Sequence, residues 1–258
     1  MTLRRAALIG VLVTTLLGAS QQACGQTTDS VMIRGHQQQV HVYGVRGGDP
    51  VIVSSGDGGW IHLGPHVAET LAQQGFFVVG FDAKAYLEAF TTSTSVLRPE
   101  DEPADYCNLV DYAARGSAKK PILIGVSEGA GLSVLAATDP RIKTVIAGVI
   151  ALGLPDLNEL GWRWRDSVIY VTHGLPSEPM FSVATVADKV APVPLAAIHS
   201  THDEFVPLAD AQRILDRASP PKRLWTVTAS DHRFSSNLGD FDRCLREAIQ
   251  WIGQNTPR

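Results

Sequence analysis

Residues 121–137, PILIGVSEGAGLSVLAA, break off a short apolar run on a small polar knot and resume it in alanine and leucine. Ile122, Leu123 and Ile124 suit a buried strand, and the segment from Ala130 to Ala137 is rich in good helix formers. Between them Gly125 and Gly129 flank Ser127 in a G-x-S-x-G pattern. Five letters arise readily by chance, so the setting has to carry the argument. A strand that turns this sharply into a helix leaves no room for side chains beside the serine, and glycines stand where that room is missing.

The rest of the chain fits the same strand-to-helix grammar. VHVYGV (40–45) alternates apolar and polar residues and suits an edge strand. VIVSS (51–55), FFVVGFD (76–82), TVIAGVIAL (144–152), PLAAIHS (194–200) and RLWTVTAS (223–230) read as further strands. Helical patterns fall at 64–74, about 102–115, near 207–217 and at 239–252, while TTSTSVLRPEDEP (91–103) reads as a surface loop. Short apolar strands separated by helices predict an α/β fold with a mostly parallel sheet and helices on both faces. In such sheets function collects in loops at the carboxyl ends of the strands.

Residues 1–25 read as an export signal. Arg4 and Arg5 precede an apolar stretch from Ala6 to Ala19, and small residues follow. That stretch is short for a bilayer span. Cys24 raises a lipoprotein alternative, but Gln21 and Gln22 stand where such a site wants an aliphatic and a small residue. The expectation is a periplasmic or secreted protein in which residues 26–258 form a single domain. Removing the leader takes away two arginines and no acids, so the net charge moves from −4 to −6. An acidic balance argues against non-specific nucleic-acid binding. Cys107 and Cys244 remain, and the sequence does not fix whether they pair.

Ser127 acquires partners further along. PLAAIHS runs into THDEFVP, placing Asp203 just past a strand end, and RLWTVTAS runs into DHRF, placing His232 just past the last strand. Serine, then acid, then histidine is the chain order of an α/β-hydrolase triad. Histidine takes the serine proton, and the carboxylate fixes its tautomer and stabilises the imidazolium. Glu204 is the reserve acid. His173 precedes Asp203 and breaks the order, and Asp231 reads as a turn residue. His199 and His202 lack a third partner with ligand spacing, so no metal is expected. The loop SSGDGGW (54–60) follows an early strand, where oxyanion donors arise. The backbone N–H of Asp57 or Gly58, with that of Glu128, is the expected oxyanion hole. Asp57, Glu128 and Trp60 are the expected substrate contacts.

SGDGGW, GFDAKAYLEAF and the elbow before its helix resemble the VirJ/AcvB family of periplasmic α/β-hydrolases, over roughly residues 50–135. The family is associated with bacterial virulence and with hydrolysis of lysyl-phosphatidylglycerol, an aminoacyl ester on a membrane lipid. By position the resemblance implies Ser127, Asp203 and His232 as triad, no cofactor, and peripheral contact with membrane lipid. The GWRWRD segment within 155–190 shows no match. The expectation is an exported serine hydrolase acting on a small-molecule or lipid carboxylic ester. The alternatives are a general carboxylesterase and a catalytically silent hydrolase fold used for periplasmic binding or assembly.

Overall fold

The computed structural model describes residues 26–163 and 178–257. The expected leader with Cys24, the rival base His173, and Trp164 to Asp166 of the GWRWRD segment lie outside them.

Two antiparallel strands, β1 (Thr27–Ile33) and β2 (His36–Tyr43), open the described chain. Six parallel partners then build the sheet: β3 (Asp49–Ser54), β4 (Phe76–Phe81), β5 (Ile122–Val126), β6 (Gly148–Leu152), β9 (Leu195–Ser200) and β10 (Lys222–Val227). The order is β1-β2-β4-β3-β5-β6-β9-β10, with β2 antiparallel to β4. Two short strands, β7 (Leu157–Glu159) and β8 (Met180–Ser182), pair separately.

The pleat divides the core. Ile52, Leu123, Val149 and Ala197 face one apolar cluster, which receives α3 (Glu102–Ala114), α4 (Glu128–Ala136) and α6 (Leu208–Arg217). Val51, Val53, Ile124, Ile150 and Ile198 face the other, under α1 (Leu63–Gln73) and α7 (Leu238–Asn255). Strands buried on both faces need apolar residues at every position, and β5 and β6 are buried throughout. Cys107 packs against the first cluster and Cys244 sits in the second, and both are free thiols. Among the described residues, no helix is long and apolar enough to cross a membrane.

Two further short α-helices are capped by aspartates. Asp82 caps α2 (Ala83–Phe90) through the Ala85 N–H, and Asp139 caps α5 (Pro140–Val145) through the Arg141 N–H. The strand expected from residue 144 therefore begins only at Gly148. Pro140 and its cap hold Thr144 and Val145 in a helix despite their β-branched side chains.

Candidate active site

Ser127 stands between the end of β5 and the start of α4 with φ 49° and ψ −116°. A non-glycine residue with positive φ is strained by about 1–3 kcal/mol and needs its surroundings to hold it. Here the Ser127 N–H donates to the Leu152 carbonyl at 2.8 Å, and its own carbonyl accepts from the Ala130 N–H at 2.8 Å. The neighbouring glycines are obligatory. A Cβ on Gly125 would overlap the Gly129 carbonyl, and one on Gly129 would overlap the Ser55 carbonyl. The turn thus lifts the serine off the carboxyl edge of the sheet.

Asp203 and His232, which follow β9 and β10, meet at the same edge. The His232 Nδ1 lies 2.6 Å from Asp203 Oδ2. An ionised carboxylate only accepts, so Nδ1 carries the proton and Nε2 offers its lone pair. That Nε2 is buried without a hydrogen-bond partner. Burial alone would raise the Asp203 carboxyl. The hydrogen bond and charge of His232, with N–H groups from Val206 and Phe205, outweigh it and hold the pKa below the ordinary value. Glu204 reaches His232 differently, accepting its backbone N–H at 2.6 Å. Asp231 accepts from the N–H groups of Arg233 and Ser235, as a turn residue does.

The other histidines have separate duties. His199 donates Nε2–H to the Val206 carbonyl at 2.9 Å, and burial lowers its pKa so that it stays neutral beneath Asp203. His202 bonds Thr201 at the surface. Among the described residues no group of three or more His, Cys, Asp or Glu is placed to hold a metal.

A cavity of about 470 Å³ opens above this edge, and Ser127, His232, Asp57, Gly58 and Glu128 all line it. The glycine loop 54–60 passes beside Ser127, since a Cβ on Gly56 would lie 3.4 Å from Ser127 Cβ. The Glu128 N–H belongs to the first turn of α4, where a helix leaves N–H groups without internal acceptors and carries positive charge. Its side chain is buried with Oε1 unpartnered. Burial, then the negative charges of Glu159 and Asp57, push this carboxyl well above the usual range, towards its neutral form.

Trp60 is a correction. It does not line the cavity; its ring stacks on His41 at 5.0 Å and donates Nε1–H to the Tyr43 hydroxyl. The sequence does not show on which side of a glycine loop the next side chain emerges.

Residues 48–159 match the family model described as bacterial virulence protein (VirJ). Over that span the chain is similar to that family. No curated protein matches it. Among solved structures, an esterase from Pyrococcus furiosus aligns with TM-score 0.65 and 16% identity, covering 90% of this chain and 92% of that one. The α/β-hydrolase GrgF from Penicillium sp. sh18 gives TM-score 0.64 and 12% identity, covering 90% and 99%. A membrane phospholipase A described as a bacterial virulence factor gives TM-score 0.64 and 11% identity, covering 88% and 87%. These likenesses establish an α/β-hydrolase fold.

The matched span carries the glycine loop 54–60 and the turn at Ser127, and it ends at Glu159, a cavity residue that sequence reasoning missed. Glu159 closes β7, which α4 admits through a glycine: a Cβ on Gly131 would overlap the Asn158 side chain. G-L-S after the elbow carried that signal only in hindsight, because a glycine inside a helix marks a close neighbour without naming it. Ile61, Met180, Phe205 and Arg233 also line the cavity from loops and a short strand with no pattern of their own, and Arg213 reaches it from α6.

Proposed function

We propose that the protein is a serine hydrolase that cleaves carboxylic esters through an acyl-enzyme. The observation that carries this reading is the 2.6 Å contact between His232 Nδ1 and Asp203 Oδ2, set in one cavity with a strained Ser127. Ser127 Oγ attacks the ester carbonyl while His232 Nε2 takes its proton. The oxyanion of the tetrahedral intermediate is held by the Glu128 N–H and an N–H at Asp57 or Gly58. Collapse breaks the C–O bond, and the imidazolium returns the proton to the leaving alcohol. Water, deprotonated by the same nitrogen, then releases the acid and regenerates Ser127. An unbonded Ser127–His232 pair is compatible with this course, since catalytic hydrogen bonds often tighten only with substrate bound.

The preferred substrate is an aminoacyl ester on a phospholipid, of the lysyl-phosphatidylglycerol type, met in the periplasm after export. This finer reading rests on the resemblance to VirJ and on the carboxyls of Glu128, Glu159 and Asp57 around the nucleophile. An ammonium beside these carboxyls draws Glu128 back to its ionised form and then offsets the negative charge near the oxyanion. The test compares lysyl-phosphatidylglycerol, alanyl-phosphatidylglycerol and a neutral acyl ester on the wild type and on Glu128→Gln. Amine-bearing esters are expected to turn over roughly tenfold faster or more, with the ratio shrinking in Glu128→Gln. Equal rates in both proteins leave a general carboxylesterase. Absence of any turnover by a folded protein leaves a binding role.

A further inference from the structure

We propose that Asp82 and the seat of the Trp60 ring are the positioning devices of the oxyanion loop, an inference that rests on the serine-hydrolase reading. Between Ser54 and Trp60 the loop carries three glycines, and Gly59 has φ +84°. One internal bond, from the Gly59 N–H to the Gly56 carbonyl at 3.0 Å, closes the turn, but so glycine-rich a segment takes its orientation towards Ser127 from outside anchors. It is tied down at both ends to the junction of β4 and α2. At one end the Ser55 N–H donates to the Phe81 carbonyl at 2.9 Å, and Ser55 Oγ accepts the Ala83 N–H at 3.0 Å. At the other, the Trp60 N–H donates to Asp82 Oδ2 at 3.2 Å.

The second oxygen of the same carboxylate accepts the Ala85 N–H at 3.0 Å, so Asp82 joins the end of the loop to the first turn of α2. Glycine at 59 allows this approach, because a Cβ there would lie 3.3 Å from Asp82 Oδ2. The ring of Trp60 supplies the second anchor. His41 and Gly80 face each other across β2 and β4, and the missing side chain of Gly80 leaves the space that the indole fills. A Cβ on Gly80 would overlap the ring, one on Gly64 would lie 3.3 Å from it, and the His41 imidazole stacks on it at an 8° interplanar angle.

Asp82, His41 and Gly80 are absent from the cavity wall, so they act through the loop. With Ser55 and Trp60 fixed, residues 56–58 span a set distance beside Ser127 and present their N–H groups in a set direction. Donors of this kind serve catalysis only when they are oriented before charge develops.

The test uses Asp82→Ala and Gly80→Ala, which release the two anchors independently. With a soluble ester, each is expected to lower kcat by roughly 10²-fold while KM stays within about threefold, as displacement of an oxyanion donor does. Affinity for a boronic acid or trifluoromethyl ketone falls in parallel with kcat. Asp82→Asn keeps an acceptor oxygen and recovers most of the rate, and Trp60→Phe keeps a ring in the seat and stays within about tenfold of wild type. Variants that lose thermal stability but retain kcat and inhibitor affinity overturn the proposal, as does a rise in KM alone. A folded wild type inert to ester and inhibitor overturns the hydrolase reading, and the proposal with it.

Discussion

Asp203 uses both carboxylate oxygens at the carboxyl edge of the sheet: Oδ1 fixes its own loop through Phe205 and Val206, and Oδ2 meets His232. Its neighbour Glu204 holds only the His232 backbone. The two acids therefore predict different consequences. Asp203→Asn is expected to lower kcat roughly 10³-fold or more, because an amide no longer selects the tautomer with Nδ1 protonated. Glu204→Gln is expected to stay within about tenfold of wild type. Steady-state kinetics on one soluble ester decides between them, and a silent Glu204→Gln beside a normal Asp203→Asn would move the acid by one residue. The order of serine, acid and histidine was legible because each follows an apolar run at a strand end. Which of two adjacent acids reaches the ring was not, since that depends on how the loop after β9 folds.

At the scale of elements, α3 carries a conflict that the sequence pattern hides. Glu102, in its first turn, is fully buried with both carboxyl oxygens unpartnered. Burial, then the charges of Asp105 and Asp139, push its pKa well above the ordinary 4.5. Asp105, by contrast, is satisfied by Arg34 and by the Tyr86 hydroxyl. The sign for Glu102 follows from linkage: the folded state keeps the proton longer than the unfolded chain. Its contribution is therefore fully present below pH 4.5 and is lost as pH rises through the folded value. Glu102→Gln removes that dependence. Urea unfolding should show the variant gaining stability relative to wild type between pH 5 and pH 8, by about 1 kcal/mol or more. A gain that is the same at both pH values would mean that Glu102 is not titrating there.

The same scale explains what the sequence conceals elsewhere. The central strands were readable because burial on both faces demands continuous apolar runs, as in β5 and β6. β1 was not, because it needs only Val31 and Ile33 to pack while its polar residues face water. The last strand was expected to reach residue 230 but stops at Val227, freeing Thr228 to Ser230 to carry the chain towards His232. β7 and β8 are three residues each and have no period to read.

For the whole molecule, one eight-stranded sheet separates two apolar layers, and its carboxyl edge gathers Ser127, Asp203, His232 and the glycine loop 54–60 around one cavity. Residues more than 100 positions apart meet there, so the site exists only when the sheet is assembled in its full order. The central claim is that this assembly makes Ser127 nucleophilic. Incubation of the purified protein with a fluorophosphonate probe, followed by mass spectrometry of the peptide holding Ser127, tests it most directly. The account predicts one adduct, on Ser127, absent in Ser127→Ala and formed roughly 10³-fold more slowly or less in His232→Ala. Labelling that persists in Ser127→Ala, or a folded wild type that takes no label, would contradict it.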